Sequence, residues 1–206
     1  MQFASEISRL GSEMGVEICR ETNMDFFNSY DLSSKASASI LNRRGRSFGS
    51  LDETANIVMA KDASDYAYKT FDIFLSHNFL DANVIYGLKT VLEENNFSVY
   101  VYWVDDASEN SKVTPATADR IRRRMQSCRS LLYATSDNAE NSKWMPWELG
   151  YFDGIRSKVA ICPITRSSSY DGREYLGLYP FMEKDLWLRK PDGQVYKKLG
   201  TWINES

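Results

Sequence analysis

Phe71-Asp72-Ile73-Phe74-Leu75-Ser76, followed after the loop His77-Asn78-Phe79-Leu80 by the amphipathic stretch Asp81 to Asn95, decides the fold class. The apolar run reads as a buried strand, and Val84, Leu88, Val91 and Leu92 recur behind it at helical spacing. The alternation then repeats. Ser98 to Val104 is a second β-prone run and Pro115 to Ser127 a helix with Ala118, Ile121 and Met125 on one face. Ser130 to Thr135 reads as a third strand, Lys143 to Arg156 as a helix, and Lys158 to Ile164 as a fourth strand. Strands alternating with helices require right-handed crossovers and a parallel sheet covered on both faces. Further on, Tyr170 to Tyr179 is expected to hold a short helix, Leu186-Trp187-Leu188 a last strand, and Pro191-Asp192-Gly193 a turn into Val195-Tyr196, giving a hairpin at the sheet edge.

Upstream of Phe71 the texture differs. Phe3, Ile7, Leu10, Met14 and Ile18 follow helical spacing, and weaker helical patterns cover Phe26 to Leu41 and Asp52 to Tyr66, with a polar loop from Asn42 to Ser50 between them. We divide the chain into a helical extension, residues 1–68, and an α/β domain, residues 69–206, and expect the extension to pack on the domain of its own chain.

A net charge of −3 over 206 residues supplies no global attraction to nucleic acid or to anionic lipid. Two arginine clusters, Arg43, Arg44 and Arg46 and then Arg120, Arg122, Arg123, Arg124 and Arg129, read as solvated surface. Cys19, Cys128 and Cys162 are odd in number and lack metal-ligand spacing, which argues for a reducing compartment and against a zinc site. The start Met-Gln-Phe-Ala-Ser-Glu has no basic leader, and no run approaches membrane-spanning length. A cytoplasmic protein without nucleic-acid or membrane partners is the expectation.

Open parallel sheets bind ligands outside the carboxyl ends of their strands, where strand order reverses. For a flavodoxin-like order 2-1-3-4-5 that point lies between the first and third strands. The loop after Ser76 and the loop from Ser136 to Lys143 meet there, and the second runs into Ser142-Lys143-Trp144-Met145-Pro146-Trp147-Glu148-Leu149. Asn138, Asn141 and Ser142 offer capping oxygens, and Pro146 is tolerated only in a first helical turn, so Glu148 stands near a helix N-terminus. Helical spacing puts Trp144, Glu148 and Tyr151 on one side, with Met145, Leu149 and Phe152 as a neighbouring apolar stripe. An ordinary first-turn glutamate complementing the helix dipole is the bland alternative.

The expected crevice offers one carboxylate, aromatic faces at Trp144, Phe79 and Trp103, and polar groups at Ser76, His77 and Asn78. It has no glycine-rich phosphate loop, no nucleophile dyad and no metal-ligand set. Glycoside cleavage ordinarily needs two carboxyl groups, one of them to protonate the leaving oxygen. A leaving group that is already cationic removes that need. The nicotinamide of NAD departs as a neutral amide, so one carboxylate that stabilises the oxocarbenium ion suffices. The residues are compatible with NAD without singling it out.

Phe71-Asp72-Ile73-Phe74-Leu75-Ser76-His77 resembles the first-strand motif of Toll/interleukin-1 receptor (TIR) domains, and Ser142 to Leu149 resembles their Ser-x-Trp-x-x-x-Glu-Leu helix. Val104-Asp105-Asp106 before the long loop is similar to the same family, and the resemblance spans Phe71 to Ile164. Glu148 to Gly154 and Tyr175 to Pro180 look like prokaryotic TIR proteins of Thoeris anti-phage systems. The resemblance implies a flavodoxin-like fold and cleavage of NAD, as substrate and not cofactor, to nicotinamide plus ADP-ribose or a cyclic ADP-ribose isomer. It places Glu148 as the catalytic residue, with Trp144, Ser76, His77 and Asn78 as substrate contacts. Trp103 is added from its position at the end of the second strand. It also implies self-association through TIR domains and a downstream effector that senses the nucleotide product. Two alternatives stand beside it: a non-catalytic TIR adaptor acting through the Asp105 to Thr114 loop and the basic helix, and a nucleoside deoxyribosyltransferase-like enzyme.

Overall fold

The computed structural model describes residues 25–44, 69–101, 114–166 and 175–205. The helices expected over Phe3 to Ile18 and Asp52 to Tyr66, and the long loop with Trp103, lie outside the described residues.

The elements in chain order are β1 (Phe27–Asn28), α1 (Ser29–Arg44), β2 (Phe71–Ser76), α2 (Ala82–Glu94), β3 (Val99–Val101), α3 (Pro115–Gln126), β4 (Cys128–Thr135), α4 (Met145–Arg156), β5 (Val159–Thr165), β6 (Phe181–Met182), β7 (Trp187–Arg189), β8 (Val195–Lys198) and α5 (Leu199–Asn204). Short 3-10 turns at Phe79–Asp81, Ala139–Asn141 and Leu176–Leu178 lead out of β2, into α4 and toward β6.

Among these strands the sheet order is β3-β2-β4-β5-β6-β7-β8, parallel from β3 to β6 and antiparallel from there to β8. Counted from β2, the first five strands stand in the order 2-1-3-4-5 expected of a flavodoxin-like sheet. β2, β4 and β5 are near-continuous apolar runs because helices cover both of their faces. On one face Ile73, Leu75, Leu132, Ala134 and Cys162 pack with α1, α2 and α5; on the other Phe74, Leu131, Tyr133 and Ile161 pack with α3 and α4.

Several elements differ from the sequence reading: β1 opens a segment expected to be helical from Phe26, and α5 was not foreseen. β4 begins at Cys128, and α1 runs through Asn42 to Arg44, where a loop was expected. The fifth strand is Phe181–Met182, a run of two residues too short for periodicity to reveal. The expected hairpin forms as β7 and β8, with Gly193 at φ 83 in its turn, a backbone conformation that favours glycine.

β1 pairs in parallel with β5 at Ile164 and Thr165, whereas β6 pairs at Ile161. The Lys184 amide donates to the Asp25 carbonyl at 2.9 Å, joining the two short strands along one edge of β5. α1 lies across α2, and Phe27, Leu32, Ala36 and Ile40 belong to the same core as Ile73 and Leu132. Gly87 permits the contact: a Cβ there would sit 2.0 Å from the Leu32 carbonyl oxygen.

Candidate functional site

Ser76 ends β2, Thr135 ends β4, and α4 begins ten residues later, so two neighbouring strand ends and one helix start converge at the carboxyl edge of the sheet. The start of α4 follows from its sequence. Ser142 Oγ accepts a hydrogen bond from the Met145 amide at 3.2 Å, and Pro146 occupies the first turn, where its missing N–H costs nothing. The helix ends at Ser157, which takes a left-handed φ of 50.

Glu148 lies on the buried side of α4 together with Met145, Leu149 and Phe152 and is 4 % exposed. This corrects the helical wheel drawn from sequence, which grouped Glu148 with Trp144 and Tyr151. Glu148 stands next to both stripes on a helical wheel, so periodicity alone did not decide which of them it joins. The carboxylate accepts a hydrogen bond from Ser76 Oγ at 2.6 Å, its one side-chain partner among the described residues. Burial pushes its pKa up to about 7, against the smaller downward pull of the Ser76 hydroxyl. A group poised there can stabilise positive charge when ionised and accept a proton near neutral pH.

Trp144, Trp147 and Tyr151 form the aromatic row of α4. Trp147 meets Trp144 edge-on at 5.4 Å and stacks on Tyr151 at 5.7 Å. The Arg122 guanidinium from α3 lies 5.3 Å from the Trp147 ring, and Gln126 donates to the Tyr151 hydroxyl at 3.0 Å. Trp147, for which spacing suggested no role, thus joins α4 to α3. Part of the basic cluster lays its guanidinium groups on aromatic rings while staying open to solvent: Arg124 likewise lies 5.4 Å from Tyr100, and Arg122 is also ion-paired with Asp119 at 2.7 Å.

His77 and Asn78 follow Ser76 directly. His77 Nδ1 is 2.9 Å from the Leu75 carbonyl, which can only accept, so that nitrogen carries the proton. Burial lowers the imidazole pKa to about 4, leaving the ring neutral at physiological pH. Asn78 is used structurally: its Oδ1 caps the Leu80 amide at 3.0 Å and its Nδ2 donates to the Asn138 carbonyl at 2.5 Å. Asn138 donates to Asp81 at 2.7 Å, and Ser136 Oγ donates to the other Asp81 oxygen. This network ties the loop after β2 to the loop after β4. Sequence reasoning missed Asp81 and Ser136, although two polar loops expected to meet at one sheet edge was the available signal. Trp103 lies outside the described residues.

Across the sheet edge, on the α2 side, an open cleft of about 620 Å³ runs between the loop after β4 and the start of α1, with Asn28, Tyr30, Asp81, Asn138 and Arg166 in its wall. Glu148 is not part of that wall. No group of three or more histidine, cysteine or acidic side chains placed to hold a metal occurs among the described residues. Nor is any helix among them long and apolar enough to cross a membrane.

No protein-family profile matches the chain. It is 46 % identical over 166 residues to a protein of Bacillus cereus (strain MSX-D12) named "Probable 3' cyclic ADP-D-ribose synthase ThsB'", a match covering 71 % of this chain and 86 % of that one. It is also 26 % identical over 85 residues to "Putative cyclic ADP-D-ribose synthase TIR2" of Cytobacillus dafuensis, covering 40 % of this chain and 22 % of that one.

Proposed function

Since the chain belongs to the TIR-domain family of Thoeris-type cyclic ADP-ribose synthases, we propose that it cleaves the nicotinamide N-glycosidic bond of NAD and closes the ADP-ribose into a cyclic isomer that serves as an anti-phage signal. The single observation that carries the chemistry is Glu148, a carboxylate in a core-facing position at the reversal point of the sheet, bonded to one serine hydroxyl.

The bond between the ribose anomeric carbon and the pyridinium nitrogen breaks, its electron pair leaves with nicotinamide, and positive charge develops on the ribose. Ionised Glu148 stabilises that charge in a water-poor site, where electrostatic effects are strongest. A hydroxyl of the adenosine ribose then attacks the same carbon and releases its proton, which a carboxylate with a pKa of about 7 can accept. Attack by water instead gives linear ADP-ribose. The 46 % identical relative carries a 3′ linkage in its name, and we extend that linkage to this chain. Ser76 orients the carboxylate, His77 and Trp144 are the substrate contacts, and Asn78 holds the loop after β2 in place for them. Copies of the TIR domain associate to act, and a separate effector reads the product.

Neither the adaptor nor the deoxyribosyltransferase-like reading draws support from relatives named as cyclic ADP-ribose synthases. The test is mass spectrometry of NAD incubated with purified protein at concentrations that favour assembly. Nicotinamide and a product one water lighter than ADP-ribose, co-eluting with the 3′ isomer, are expected. ADP-ribose alone would remove the cyclase step, and intact NAD would remove the enzyme.

A further inference from the structure

Thr135 closes β4, and its hydroxyl is buried without a hydrogen-bond partner among the described residues. The residue is 8 % exposed. Valine has nearly the same shape and would fill this place without stranding a hydroxyl away from water, so packing alone does not account for threonine here. Two other buried atoms lack a hydrogen bond among the described residues, but they lie elsewhere. One is on Asn83 in α2; the other is on Arg189 in β7, which is ion-paired with Glu183 at 2.8 Å.

The pleat fixes the side of the sheet on which Thr135 stands. Leu131 and Tyr133 pack on the α3 and α4 face, Leu132 and Ala134 on the opposite one, so Thr135 falls with Leu131 and Tyr133. Ser76, two residues after Phe74, is on that face too, and α4 brings Glu148 to it. Tyr133 is the register partner of Ser76, and Thr135 lies two residues further toward the carboxyl edge. Strand spacing and rise then put its Cβ about 8 Å from that of Ser76. Two hydrogen bonds of about 2.8 Å with a sugar diol between them bridge a gap of that size.

We propose that the Thr135 hydroxyl is a further substrate contact beside Glu148, hydrogen-bonding a hydroxyl of the ribose next to the scissile bond from the side opposite Ser76. The contact rests on the NAD-cleaving reading above. It gives the stranded hydroxyl a partner that arrives with the substrate, and it sets the ribose between two strand ends with Glu148 beside it.

The experiment measures kcat and KM for nicotinamide release, and the melting temperature, in the parent, Thr135→Val and Thr135→Ser. Thr135→Val should lose about tenfold in kcat/KM while melting at or above the parent temperature, and Thr135→Ser should stay within about twofold of the parent. The Thr135→Val loss should also vanish on one of the two NAD analogues that lack a hydroxyl on the nicotinamide-side ribose. Parent-like kcat/KM in Thr135→Val overturns the contact, as does a Thr135→Ser loss equal to that of Thr135→Val. A fall in the Thr135→Val melting temperature would give the hydroxyl a structural partner and overturn it equally. Persistence of the loss on both analogues overturns the ribose assignment. A parent that releases no nicotinamide overturns the underlying reading itself, and the parent assay alone shows which has failed.

Discussion

Glu148 occupies a helix position that packing would give to leucine, between Met145 and Phe152 on the buried side of α4. Its folded pKa, about 7, stands above its ordinary value of 4.5, so the native state holds its proton more tightly than the unfolded chain does. Stability therefore falls as pH rises from 4.5 to about 7 and is level with respect to this group above that. At 1.36 kcal/mol per pH unit, ionisation costs about 3 kcal/mol. Glu148→Gln, which keeps the shape without the charge, should melt higher than the parent at pH 8, by on the order of 5 °C, and the gain should shrink toward zero near pH 5. Equal melting temperatures at both pH values would show that the carboxylate is hydrated. The same group governs rate. The parent kcat/KM for NAD should climb through pH 7 to a plateau, because the ionised form stabilises the transition state, and a flat profile from pH 5.5 to 8.5 would contradict this. His77, neutral throughout that range, should add no second limb.

At the scale of elements, α4 is held from two sides: Met145, Leu149 and Phe152 enter the core, and its outer aromatic row is gripped by α3 through Arg122. Arg122→Met keeps the stem and removes the guanidinium from above Trp147 and Tyr151. It should cost about 1 kcal/mol in thermal unfolding, and no loss of stability would show that the rings alone hold the two helices. Much of this level was legible in the sequence. Pro146 and Ser142 marked the start of α4, and the alternation from Phe71 onward marked β2, α2, β4 and β5. What escaped was that Glu148 joins the inward stripe of Met145, Leu149 and Phe152, since on a helical wheel it stands next to both stripes and only the neighbouring elements decide between them. Phe181–Met182 escaped because a strand of two residues carries no period, and the run of α1 past Asn42 because polar helix termini look like loops.

Across the whole molecule, the segment before Phe71 contributes a strand and a helix to the central fold: β1 continues one edge of β5 and α1 covers α2. Gly87→Ala tests that docking, because the added carbon would meet the Leu32 carbonyl and force α1 away from α2. A loss of about 3 kcal/mol in chemical denaturation is expected, whereas parent-like stability would mean that α1 contributes little to the fold. The overall sheet order was legible because crossover rules leave few topologies for alternating strands and helices. Packing of the extension on its own domain was expected, and α1 does pack there; where on the domain it would dock was not legible, because an amphipathic helix shows which face it must cover and not against what. The same order places Glu148 at the reversal point beside Ser76, and on that placement the proposed chemistry depends. Its most direct test is the rate of nicotinamide release from NAD by assembled Glu148→Gln beside the parent. We expect the variant, folded and at least as stable, to be slower by about a hundredfold or more; release at the parent rate would contradict the role of this carboxylate.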